Sequence, residues 1–138
     1  MASNTDPVFE KLPYSKGVTF TNADSANTKK DLVPAADVPA EGLRVDQISL
    51  TSTETANARA FAFYDHDGST SFLIGTVNVP VLSGFDGSAP LIDALPLLAP
   101  NLGYLMLMTG HKLEVENLTQ PASGKTITAV ARGGKLTA

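Results

Sequence analysis

Cysteine and tryptophan are both missing from this chain, histidine occurs twice, and no apolar run is long enough to cross a bilayer. The missing cysteine removes disulfide staples, thiolate metal centres and cysteine nucleophiles. Without tryptophan there is no tryptophan-centred immunoglobulin core. The longest apolar stretch, Leu95 to Met108, is broken by Pro96, Pro100, Asn101 and Gly103, so no membrane helix is expected. Residues Met1 to Lys16 offer no apolar core that would serve as a signal peptide. Basic residues number 10 against 14 acidic ones, giving a net charge of −4, and they are scattered. A nucleic-acid surface needs a concentrated basic face, so that partner is not expected.

What is present describes an ordinary folded domain. The 138 residues are 43% hydrophobic, 17% charged and 7% aromatic, enough for a single core and too few for two. Residues 1–15 read as an extended arm, because Pro7 and Pro13 each remove a backbone donor and favour extended geometry. That arm nonetheless carries Val8, Phe9, Leu12 and Tyr14, which lie over their own domain or on a neighbouring subunit. Residues 16–138 then form the domain.

Strands are expected where β-branched and aromatic residues alternate with polar ones. They run over Lys16–Thr21, at Leu32–Val33 (kept to a sheet edge by Pro34), Leu43–Thr51, Ala58–Asp65, Ser71–Val79, Tyr104–Leu107, Lys112–Asn117 and Lys125–Arg132, the last stopping at Gly133-Gly134. Val45 is out of phase with Ile48, which implies a bulge near Asp46. His66-Asp67-Gly68-Ser69 supplies a tight turn between two good strands. Ser88-Ala89-Pro90 reads as a helix start, followed by Leu91, Ile92, Leu95 and Leu98 at helical spacing, with Pro96 limiting the helix to about two turns. About eight short strands with one short helix give an all-β, antiparallel, jelly-roll-like sandwich.

Catalytic motifs are weak throughout. Ser123-Gly124-Lys125-Thr126 resembles the end of a phosphate loop, but Thr119 stands where its first glycine belongs and a strand follows in place of a helix. Asp65-His66-Asp67-Gly68-Ser69 lacks the later ligands of a calcium loop. His66 and His111 are not at metal-ligand spacing, and His111 reads as a surface residue. Glu114 and Glu116 alternate with Leu113 and Val115, as solvated charges on the outer face of a strand do. No serine-nucleophile elbow occurs. The expectation is a protein without catalytic residues, cofactor or metal.

Several stretches, taken in order, resemble a family of small proteins encoded beside capsid genes in tailed bacteriophages. Asn4-Thr5-Asp6-Pro7-Val8-Phe9 is similar to an Asn-Thr-x-Pro-Ile-Phe opening. Ala26-Asn27-Thr28-Lys29-Lys30-Asp31 follows, then Gly42-Leu43-Arg44-Val45-Asp46-Gln47-Ile48, similar to a Gly-x-Arg-Ile-Asp-x-Ile strand start. Gly103-Tyr104-Leu105-Met106-Leu107-Met108-Thr109-Gly110 stands where the family carries Tyr-Leu-x-Leu-Pro-Ala-Gly. The chain ends on Gly124-Lys125-Thr126-Ile127 and Ala131-Arg132-Gly133-Gly134. Met108 replaces the usual proline, and Lys135-Leu136 replaces an acidic-aromatic ending. The resemblance implies a head-decoration (cement) protein, a β-sandwich that assembles as a homotrimer on the outer surface of the major capsid protein. It makes Val8, Phe9, Leu12 and Tyr14 of the arm, with Arg44 and Asp46, the expected contacts between chains. Two other roles stay open: a tail, fibre-base or head-tail joining component, and a carbohydrate- or ligand-binding module using Tyr64, Phe72, Phe85 or Tyr104.

Overall fold

The computed structural model describes residues 9–137, with side chains from Leu12 onward. Within them the chain forms strands β1 (Phe9–Phe20), β2 (Thr28–Val33), β3 (Leu43–Ser52), β4 (Arg59–His66), β5 (Ser71–Val79), β6 (Ile92–Asp93), β7 (Leu105–Leu107), β8 (Lys112–Asn117) and β9 (Ile127–Thr137), with one α-helix, α1 (Leu95–Leu98), and a single 3-10 turn at Ala35–Asp37. Two antiparallel sheets result. One runs β1-β9-β3 with β6 and β7 along the far side of β3, and the other runs β2-β8-β4-β5. Read as pairs, β1 with β9, β2 with β8, β3 with β6 and β7, and β4 with β5 make one long hairpin rolled into two layers. This is the jelly-roll winding. The expected count of strands is exceeded because one position is filled by two short pieces, β6 and β7.

The core lies between the layers. Phe20, Leu32, Leu43, Val45, Ile48, Leu50, Phe61, Phe63, Leu113, Val115 and Ile127 are buried there. The rings of Phe20 and Phe61 meet at 5.2 Å across the two sheets. The phase slip in β3 is a bulge: Val45 pairs with Gly133 and Gln47 with Arg132, leaving Asp46 as the extra residue. Leu43 and Val45 before it, and Ile48 and Leu50 after it, therefore all face inward. The β4–β5 turn closes through Asp67, whose Oδ1 accepts the amides of Ser69 and Thr70 at 3.0 and 2.8 Å. Those donors hold the Asp67 carboxyl below the usual carboxylate range.

Three expectations change. Residues 9–15 of the expected arm lie in β1, paired with β9 from Phe9↔Thr137 onward; Val8 lies outside the described residues. β9 does not stop at Gly133-Gly134 but continues to Thr137, because β1 and β3 flank it on both sides. The helix does not begin at Ser88, whose hydroxyl is taken by Asp86. Instead Ile92 and Asp93 pair with β3, and Asp93 Oδ1 accepts the amides of both Ile48 (3.2 Å) and Leu95 (3.1 Å), so α1 starts only there.

Candidate interaction surface

Four strands converge where β3 begins. Register places Leu12 of β1 beside Lys135 of β9, Lys135 beside Leu43 of β3, and Leu43 beside Leu107 of β7. Alternation along each strand then sorts the side chains by face. Leu43, Val45 and Leu107 point into the core, whereas Arg44 and its β7 partner Met106 point outward. The Arg44 Nε donates to Asp46 Oδ1 at 2.6 Å, and its guanidinium lies over the Tyr104 ring, 4.3 Å from the centroid. Both partners of this ion pair are about two-fifths exposed, so water weakens it.

Of the expected contact residues, the four whose side chains are described, Leu12, Tyr14, Arg44 and Asp46, thus share an end of one sheet but not a face. Tyr14 turns inward, packs against the core and donates its hydroxyl proton to Asp37 Oδ2 at 2.6 Å. Leu12 remains 60% exposed on β1, which is an edge strand. Arg44 and Asp46 occupy the outer face, two strands away.

Burial first, and then the Asp37 carboxylate, push the Tyr14 phenol well above tyrosine's ordinary 10.0. The folded chain therefore holds this proton more tightly than the unfolded one. The resulting stability is complete below the ordinary tyrosine value and is lost as pH rises towards the folded one. Tyr14→Phe is expected to flatten the decline in stability on the alkaline side, measured by denaturant unfolding from about pH 8 to about pH 12. An unchanged alkaline slope would contradict the assignment.

The outer face of the other sheet corrects a further expectation. Glu114 and Glu116 do face away from the core, yet they are only 7% and 8% exposed. They sit on β8 between β2 and β4, and neighbouring side chains cover them. Tyr64 donates to Glu116 Oε1 at 2.8 Å, and Ser71 donates to Glu114 Oε1 at 2.6 Å. Lys112 bridges Asp31 (3.1 Å) and Glu114 (3.7 Å), while Lys29 lies over the Tyr64 ring. The Glu116 hydrogen bond raises the Tyr64 pKa, and the Asp31 bond raises that of Lys112. Each of these carboxylates is held by a neighbour, which suits a fixed surface. Of the aromatics considered for ligand binding, Tyr64 is thus covered by Lys29 and Tyr104 by Arg44.

Among the described residues no group of three His, Cys, Asp or Glu is placed to hold a metal ion. Ser123–Lys125 forms a turn closed by the Lys125 amide on Ala122 O, with Gly124 in the left-handed region. Apolar side chains do reach the surface. Phe72 and Leu73 on β5, Leu97 on α1 and Leu102 just after it are each more than half exposed, and α1 packs against β5. Sequence reasoning also passed over a depression of about 180 Å³ beside β7, lined by Gly42, Met106, Met108 and His111 among others. Its signal was legible: Met106 and Met108 flank the apolar Leu107 two positions apart. The sequence matches no protein-family model and no curated protein.

Proposed function

We propose that this chain is a non-enzymatic structural protein of a tailed-phage particle, binding the outer surface of the capsid as a homotrimer and stabilising the head. The observation that carries the reading is the edge strand β1. Among the described residues it is paired along one side only, and it presents Leu12 to solvent beside the end of β9. Edge strands and exposed apolar groups are the ordinary material of assembly. The second apolar area, on β5 and α1, gives the same domain another place to touch a neighbour. Modest contacts of this kind become effective when several engage at once on a repeating lattice, and cyclic symmetry matches three copies to a local threefold position. The resemblance set out above supplies the capsid as the lattice.

Quantitative mass spectrometry of purified particles tests this directly. A copy number in proportion to the capsid lattice is expected. A handful of copies would make the chain a tail or joining component, and none would end the reading. Leu12→Ser is expected to weaken binding to undecorated shells at least about tenfold, since burying a leucine side chain contributes about 1.5–3 kcal/mol. Full occupancy by the variant would remove Leu12 from the interface.

A further inference from the structure

The geometry points to a site for a soft monovalent metal ion, Cu(I), formed by Met106, Met108 and His111. This goes beyond the assembly role and does not depend on it. Three observations converge. First, Leu107 is 2% exposed and faces the core, so Met106 and Met108 on either side of it turn outward together, at 45% and 64% exposure. Neither exposed thioether is needed to fill the core. Second, the chain folds back at once: the His111 amide donates to Met108 O at 3.0 Å, and Gly110 adopts the left-handed region. The turn brings His111 to the same depression as the two methionines. Third, His111 Nδ1 lies 2.9 Å from Asp65 Oδ1. A carboxylate accepts, so Nδ1 carries the proton, and of the two neutral tautomers this contact selects the one whose lone pair is on Nε2. This is the arrangement by which a carboxylate fixes a metal-binding histidine.

The donor set decides the metal. Thioether sulfur is a soft ligand that favours Cu(I), and imidazole is compatible with it. Two thioethers bring no charge of their own, and Glu41 is the one acidic residue among those that line the depression. Gly42 keeps the place open, since a Cβ there would meet Leu107 O at 2.9 Å and Met106 Sδ at 3.5 Å.

The test uses the full-length protein. Cu(I), kept reduced and anaerobic, is titrated in competition with a chromophoric Cu(I) chelator, and Ag(I) serves as the air-stable probe by calorimetry. One equivalent of either ion is expected to be retained. Met106→Leu and Met108→Leu keep side-chain size at exposed positions and are expected to lower affinity at least about tenfold each. Asp65→Asn acts through the histidine and should lower it about tenfold. Circular dichroism of each variant confirms folding. The proposal is overturned if the parent protein retains neither ion. It also fails if the double methionine variant binds as the parent does, or if Zn(II) binds as tightly and is lost only in His111→Gln.

Discussion

Gly133→Ala is expected to cost about 3 kcal/mol or more, lowering the thermal midpoint by about 10 °C or more in a domain of this size. Gly133 lies on β9 directly opposite Val45, at the point where Asp46 bulges out of β3. The bulge presses the β3 backbone towards β9. A Cβ on Gly133 would overlap the Arg44 carbonyl oxygen and stand 2.8 Å from its carbon and 3.0 Å from Val45 Cα. All three obstacles are backbone atoms, so no rotamer relieves the clash. Either the β3–β9 ladder opens or the bulge moves, and moving it would turn Leu43 and Val45 out of the core. Gly17→Ala on β1 is the control. Its Cβ would meet a side-chain atom, Val130 Cγ2, at 3.3 Å and Ala129 O at 3.5 Å, so a change within about 1 kcal/mol is expected. Thermal unfolding of both variants decides the matter: a Gly133→Ala protein as stable as the parent would mean the close approach does not exist.

The same pair of residues shows what could be read from sequence and what could not. A bulge leaves a local trace, because the slip between Val45 and Ile48 is visible in the alternation of β3 alone. Its consequence is not local. Gly133-Gly134 reads as a strand end in isolation, whereas Gly133 is required by a neighbour almost ninety positions earlier in the chain, at Val45. The limits of β5 and β8 were legible because turn residues bracket them. Ile92 and Asp93 were not, since their spacing suits a helix and only the open side of β3 makes them a strand. The burial of Glu114 and Glu116 follows from β8 lying inside a sheet, and strand order is a property of the whole fold. The contact residues divide in the same way. Arg44 and Asp46 meet because they flank one position, while Tyr14 is drawn inward by Asp37 across the sandwich.

At the opposite end of the molecule, removal of the Glu54 carboxylate is expected to be the other severe change. Glu54 is 1% exposed, and its Oε1 accepts from Arg59 Nε at 3.1 Å and from the Ala122 amide at 2.7 Å. Its backbone is fixed as well, with the amide donating to Ser52 Oγ and the carbonyl accepting from Leu82. One carboxylate thus ties the loop after β3 to β4 and to the loop between β8 and β9. Glu54→Ala leaves a guanidinium largely out of water (Arg59 is 13% exposed) and an amide without its acceptor. Breaking one side of such a pair costs about 3–5 kcal/mol. Glu54→Gln keeps an oxygen for both donors but gives up the charge, so a smaller loss of about 1–2 kcal/mol is expected. It also replaces Oε2, which has no hydrogen-bond partner, with a donor. Glu54→Leu combined with Arg59→Met removes both charges and leaves only the Ala122 amide unpaired. It should therefore be more stable than Glu54→Ala despite carrying two substitutions. Denaturant unfolding orders the three variants, and hydrogen exchange at Ala122 reports on the latch itself. If the double variant is the least stable, Arg59 contributes by packing, and the charge pair is not what holds the two loops together.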